Sequence, residues 1–185
     1  AMELITLYVA LETSSIALYA LAGFLRDKKS SEAGIKYLAL GGISSALLLY
    51  GMVIFFGITG STSFQDILQA LAGSYRTNIL PIVVGVVLLV AGFGFKIAAF
   101  PFQMWVPDVY EGAPTPVTAF LSVVSKAAGF AVVLRLFHIM LGLGPIAGEW
   151  HTIFAALAAL TMTFGNVVAL QQRNIKRLMG YSSIA

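Results

Sequence analysis

Long apolar stretches, separated by short polar ones, set the pattern of this chain. Apolar runs cover residues 3–25, 33–57, 79–99, 117–141 and 152–170. A helix needs about 20 apolar residues to cross a hydrocarbon core of about 30 Å, and these runs match that length. Their apolar residues lie on all sides, without the period-two alternation of a membrane barrel. The pattern predicts five spanning helices and an all-α integral membrane protein. Between the second and third runs, Phe64, Ile67, Leu68 and Leu71 recur at helical spacing, with Gln65, Asp66 and Gln69 opposite. That spacing predicts a short helix lying in the membrane interface. After Leu170 a polar stretch leads into residues 178–185, which read as the opening of another helix. The abrupt start and finish, with no basic n-region or cleavage site of a signal peptide, point to a piece of a longer bundle. Residues 1–185 are read as one such bundle.

Composition narrows the function classes. Of the 185 residues, 59% are hydrophobic and 10% charged, where an ordinary soluble domain carries about 25% charged residues. That excludes a soluble enzyme, a nucleic-acid binder and a disordered tail. The net charge of +3 comes from short basic clusters between apolar runs, so nucleic acid is not an expected partner. Arg26, Lys28 and Lys29 follow the first run, and Arg173, Lys176 and Arg177 follow the fifth. Alternating crossings bring both clusters to one side, which the positive-inside rule assigns to the cytoplasm or its organellar equivalent. The absence of cysteine removes disulfides, thiolate metal sites and Fe–S clusters from this chain.

Ionisable residues at membrane depth carry the candidate chemistry. Glu12 and Lys126 each lie about ten residues inside a run, roughly 15 Å along a helix. An ionisable group at the bilayer centre costs about 2.5–3.5 kcal/mol on insertion scales, so it requires a partner or a wet path. Lys96 sits five residues before Pro101. Pro101 cannot donate to the Ile97 carbonyl and its ring clashes there, so the third span is expected to break just past Lys96. Broken helices at ion sites recur in transporters. Structural ion pairs and a plain proline kink are the blander alternatives. Lys36 and Arg135, near span ends, read as snorkelling side chains, with Lys36 also a candidate for the proton path.

Other polar residues have packing roles in this reading. Gly41, Gly42, Ser44, Ser45 and Ala46 suggest a small-residue helix contact. Thr161, Thr163 and Asn166 are expected to hydrogen-bond between helices. Thr115 is the expected N-cap of the fourth span, with Pro116 in its first turn. Asp108 and Glu111, just before that positive helix end, read as structural. Phe102, Trp105 and Tyr110 are expected either at the interface or inside the bundle. His138 and His151 have no carboxylate company, so no metal site is expected. Gly92-Phe93-Gly94 lacks the third glycine of a dinucleotide loop.

The run GFKIAAFPFQMWVPDVYEGAPTPV from Gly94 to Val117 resembles the signature of the antiporter-like, proton-translocating subunits of respiratory complex I, the NADH:quinone oxidoreductase. SVVSKAAG from Ser122, FGNVVALQ from Phe164 and NIKRLMGYSSI from Asn174 extend the likeness. Lysine at 126, where related antiporter subunits often carry histidine, makes it most similar to the N-type subunits. The resemblance implies two inverted five-helix repeats, each with a broken helix, of which this chain holds roughly the first. It implies that Glu12 tunes Lys96, and that Lys96 exchanges its proton with Lys126 through water and polar side chains. It places FMN, Fe–S clusters and quinone in other subunits, with no cofactor in this chain. The implied partners are other membrane subunits, including neighbouring antiporter-like ones, and the lipid bilayer. The implied location is a bacterial plasma membrane, or alternatively an organellar one. A subunit of a multi-subunit cation/proton antiporter is the second reading, and a scaffold of locked charges the third.

Overall fold

The first apolar run folds as α1 (Leu4–Ala22), and the chain turns back as α2 (Lys28–Thr59). Asp27 starts α2: its backbone is extended and its carboxylate accepts from the Ser30 amide at 2.7 Å, satisfying a free N–H of the first turn. Ser30 Oγ donates back to the Ala22 carbonyl at 2.9 Å, which ties the two helices at their junction. Gly60 ends α2 in the left-handed region, at φ 70°, its amide donating to Phe56 O at 2.7 Å. With these caps α2 has 32 residues, well beyond the apolar run that predicts it. This computed structural model of the chain describes residues 2–74, 79–138 and 147–185.

α3 (Phe64–Ser74) is the short amphipathic helix that the spacing predicts. Its apolar stripe packs on protein: Phe64, Ile67 and Leu71 are buried in one cluster with Leu4, Leu7, Phe55 and Ile82. Backbone bonds from Leu4 N to Thr62 O and from Phe64 N to Met2 O fasten its start to the start of α1.

α4 (Ile79–Ile97) stops one residue after Lys96, at the place the proline predicts. Two bonds close the end: Ala98 N donates to Phe95 O at 3.2 Å, and Ala99 N to Gly94 O at 2.8 Å. This is the paired pattern of a Schellman cap, in which the residue after the helix is left-handed and usually glycine. Here it is Ala98, buried and at φ 61°. A β-branched side chain fits that conformation worse than alanine, and a larger one overpacks the site. Ala98→Val is therefore expected to lower stability by about 2 kcal/mol or more, while Ala98→Gly folds normally. Denaturant titration of the two variants checks this; equal stability would remove the left-handed strain from the account.

Past the break come a 3-10 turn (Phe102–Trp105) and α5 (Val106–Gly112). The fourth run is one rod from Thr115 to Leu136, built of α6 (Thr115–Phe120), a π-helical segment (Leu121–Ser125) and α7 (Lys126–Leu136). The expected Thr115 cap is displaced by one position. Pro114, with ψ 141°, occupies the cap, Thr115 is already helical, and no side chain caps the turn. The fixed proline φ sets the entry instead. The expected end of this run, at 139–141, lies outside the described residues. α8 (Ala147–Ala169) and α9 (Ile175–Ile184) follow. Asn174 caps α9, accepting from the Lys176 amide at 2.9 Å.

Among the described residues, five helical segments are long and apolar enough to cross a membrane: Leu4–Ala22, Lys28–Thr59, Ile79–Gly112, Thr115–Leu136 and Thr152–Ala169. α2 packs tightly against α4. A Cβ on Gly92 would lie 2.7 Å from Leu48 Cβ, and Ser44 Oγ donates to the Gly92 carbonyl at 3.0 Å. Gly41, Ser44 and Ser45 form the expected inward face, whereas Gly42 and Ala46 point outward. Thr161 reaches the non-helical break after α4 and not another helix, accepting from the Phe100 amide at 3.0 Å. Thr163 and Asn166 do not bridge helices either; they bond to Ala159 O and Met162 O of their own helix. Threonine and asparagine in a helix satisfy themselves locally when a carbonyl one turn back lies within reach.

Candidate functional site

Among the described residues, three polar clusters interrupt the apolar bundle. The first joins α1 to the broken end of α4. Lys96 Nζ lies 3.4 Å from Glu12 Oε1 and donates to Ser15 Oγ at 2.5 Å. Ser15 in turn donates to Leu11 O at 2.7 Å, so its lone pairs face the ammonium. The side chains of Lys96 and Glu12 are only 9% and 19% exposed, which makes this a largely desolvated pair. Lys96 also occupies the last turn of α4, where the helix dipole favours a cation. Ser15 went unread in the sequence. Its signal was there, since it stands three residues after Glu12 on the same helix face.

The second cluster surrounds Lys126, which is buried at the junction of the π-helical segment and α7. Its ammonium donates to Ser183 O and, at 2.9 Å, to Ser183 Oγ. Ser183 Oγ lies 3.2 Å from the Tyr110 hydroxyl on α5. No ion pair of Lys126 occurs among the described residues. Lys96 and Lys126 thus hold different partners, on α1 and α9, although α7 runs beside the break: a Cβ on Gly129 would meet Ile97 Cγ2 at 3.0 Å.

The third cluster is an ion-pair network at the end where the two basic sequence clusters meet. Lys36 Nζ stands 2.7 Å from Glu32 and 2.6 Å from Asp108. Arg177 reaches Asp108 at 2.6 Å and Glu111 at 3.2 Å, and Lys29 reaches Glu111 at 2.9 Å. Lys176 Nζ donates to Ala113 O at 3.0 Å. Partial burial of Arg177 opposes its charge, but the two carboxylates outweigh that and raise its pKa. The network clamps α5 between α2 and α9. Asp108 and Glu111 therefore meet side-chain cations, not the helix end expected from the sequence. Lys36 ends on carboxylates, half-exposed.

Between the clusters lies an aromatic plug. Trp105 stacks on Tyr37 with ring centroids 4.5 Å apart, and Phe95 and Tyr110 flank it. Its indole N–H donates to the Phe95 carbonyl at 3.0 Å, so the tryptophan completes the broken end of α4. Of the two alternatives for Trp105 and Tyr110, packing inside the bundle is the one observed. His138 is exposed on the described surface, and the His151 side chain lies outside the described residues. No group of three metal-ligating side chains occurs among the described residues.

The chain is similar to known proteins in sequence and fold. The chain is 53% identical over 186 residues to NADH-quinone oxidoreductase subunit N of Heliobacterium modesticaldum, across 99% of this chain and 38% of that protein. It is 50% identical over 189 residues to subunit N of Dehalococcoides mccartyi, across 99% and 39%. Among solved structures, a chain of respiratory complex I from Thermus thermophilus superposes with a TM-score of 0.82 at 40% identity, across 100% of this chain and 38% of that one. An archaeal membrane-bound sulfane sulfur reductase gives 0.89 at 30% identity, across 100% and 37%. The Mrp complex of a Dietzia species gives 0.83 at 27%, across 100% and 20%. The chain thus spans about two-fifths of the length of the subunit N relatives it matches. With residues 1–185 all inside the match to the family described as "NADH:quinone oxidoreductase/Mrp antiporter, TM", the chain belongs to that family of multi-pass membrane proteins.

Proposed function

We propose that the chain is part of the N-type, proton-translocating membrane subunit of an NADH:quinone oxidoreductase in a bacterial plasma membrane, beside other antiporter-like subunits. The observation that carries this reading is the desolvated Lys96–Glu12 pair at the broken end of α4. Lys96 holds the proton, Glu12 sets how tightly it is held, and Lys126 is the neighbouring acceptor across the break. Opening the pair weakens the hold on the proton, and closing it restores the hold. Electron transfer takes place in other subunits, where FMN, Fe–S clusters and quinone belong; this chain contributes proton carriers. Lys36 sits in the ion-pair network at the cytoplasmic end, at the entrance of the path.

The test is proton pumping by the reconstituted whole complex carrying Lys126→Met, with the assembled amount verified. The expected result is loss of pumping with assembly retained. Wild-type pumping would overturn the proton-carrier role. Sodium-dependent proton exchange in the absence of electron flow would favour instead a subunit of a cation/proton antiporter, the reading that the Mrp likeness keeps open.

A further inference from the structure

Tyr19 Oη and Gln103 Oε1 are the buried side-chain polar atoms left without a hydrogen-bond partner among the described residues. Such orphans are rare in folded proteins, and each calls for a reason. Tyr19 stands out by its place. It follows Ser15 by four residues and Glu12 by seven, so the three share one face of α1. Glu12, Ser15 and Tyr8 are the polar side chains that act on its hydroxyl, yet no bond to any of them is completed. The ring makes an edge-on contact with Tyr37, centroids 4.7 Å apart, and borders an apolar groove with Ile16, Ile35 and Leu38. The hydroxyl turns inward instead, against the backbone of α2, where a Cβ added at Gly41 would overlap it. Glycine leaves that place free, as it does wherever a backbone must be closely approached. Phenylalanine would supply the same ring contacts with no polar atom to strand, so packing does not account for the hydroxyl.

We infer that Tyr19 is a positioning residue of the Glu12–Lys96 pair, whose hydroxyl takes the Ser15 oxygen when the Lys96 ammonium leaves it. This rests on the reading of Lys96 as a proton carrier. With the pair closed, Ser15 Oγ donates its proton to Leu11 O and accepts from Lys96 at 2.5 Å. Tyr19, one turn further along α1, is then the group left over. When Lys96 withdraws, the serine keeps its bond to Leu11 O and loses its donor, and the phenol O–H takes the vacated lone pair. One hydrogen bond is exchanged for another, and no proton leaves Tyr19. The closed arrangement therefore carries an unpaired buried hydroxyl, and the open one does not. A buried polar group is costly mainly when its bond is unmade. The asymmetry thus narrows the gap between two states that a proton carrier has to visit in turn. Phenylalanine at position 19 reverses it: the closed state strands nothing, and opening strands Ser15. The pair then opens less often, and transfer from Lys96 slows.

The test measures pumping by the whole reconstituted complex, at matched assembly, for Tyr19→Phe alone and in Ser15→Ala and Ser15→Thr backgrounds. Tyr19→Phe keeps the ring against Tyr37 and removes only the hydroxyl. The expected result is a fall in pumping of about tenfold, equivalent to about 1.4 kcal/mol in the barrier. In the Ser15→Ala background no oxygen is left to receive the phenol, so adding Tyr19→Phe is expected to change pumping by less than about twofold. Ser15→Thr restores the oxygen and is expected to restore the tenfold effect. A ring that matters only for packing produces no such dependence on Ser15. A second measurement needs no substitution: an isotope-labelled tyrosine at position 19 of the otherwise unaltered complex is expected to shift its C–O stretch, in infrared difference spectra, from a free to a donating hydroxyl during turnover. Equal falls in the serine and alanine backgrounds, or no infrared shift, would overturn the inference. So would wild-type pumping in Tyr19→Phe while the Glu12→Gln/Lys96→Met variant is inactive, and the lysine mechanism would then stand without Tyr19. Normal pumping by that assembled double variant would instead remove the carrier on which the inference rests.

Discussion

Replacing both members of the buried pair, Glu12→Gln together with Lys96→Met, is expected to stop proton translocation while the complex still assembles. The double variant is the informative one. Lys96→Met alone leaves the Glu12 carboxylate, 19% exposed, without its cation, and breaking a buried pair from one side costs about 3–5 kcal/mol. A loss of pumping in that single variant would mix misfolding with mechanism. Removing both charges lifts that penalty, because two neutral side chains of similar volume pack without a stranded charge. A positioned acid–base group contributes about 10²- to 10⁴-fold to proton transfer, so pumping by the double variant is expected to fall at least about 100-fold. The free energies are of the right size. Moving one charge through 100 mV takes about 2.3 kcal/mol, and a charge pair 4 Å apart at an effective dielectric of 20 is worth about 4 kcal/mol. Opening and closing the pair at 3.4 Å can therefore do that work. Proton uptake by proteoliposomes, followed with a pH-sensitive dye during electron transfer, measures it. Wild-type pumping by an assembled double variant would make the pair a structural lock and the chain a scaffold in this region.

Much of this architecture is legible in the sequence because a membrane imposes a length. Each span needs an unbroken apolar stretch, and the five segments among the described residues that are long and apolar enough to cross each overlap one of the runs read from the pattern, the third extending past its run to Gly112. The break after Lys96 is legible for a local reason as well, since Pro101 acts on the carbonyl four residues back. What closes the break is not legible. Ala98 takes a left-handed conformation that glycine normally marks, and the tryptophan that caps Phe95 is ten residues away. The π-helical segment before Lys126 has no proline or glycine to announce it, only LSVVS. The ion-pair network was hidden for a different reason. Lys36 and Asp108 are 72 residues apart, and Arg177 and Asp108 are 69 apart, so no window along the chain contains both partners. The same holds for Lys126 and Ser183, 57 residues apart. Buried charges can be found one at a time from sequence; partners as distant along the chain as Ser183 wait for the fold.

Trp105→Ala is expected to be the most damaging single change to the bundle itself, with a loss of about 4 kcal/mol or more. Truncating a buried tryptophan costs about 3–5 kcal/mol through lost transfer and the cavity left behind. Trp105 is 2% exposed and touches Tyr37, Phe95 and Tyr110 at once, so few neighbours are free to collapse into the space. The indole bond adds to this. Phe95 O lies at the end of α4, one residue before Lys96, and without the indole it keeps only the long 3.2 Å bond from Ala98 N. Trp105→Phe separates the two contributions, since it retains most of the stacking and removes the donor. Losing one neutral hydrogen bond is worth about 0.5–1.5 kcal/mol, so the phenylalanine variant is expected to sit within about 2 kcal/mol of wild type, well above the alanine variant. Denaturant titration of the detergent-purified protein orders the three. If phenylalanine proved as costly as alanine, the bond to Phe95 would be the main constraint on the broken end and the stacking secondary. The broken helix would then be held open chiefly by a single donor, and any variant that disturbed it would move Lys96 before it unfolded anything.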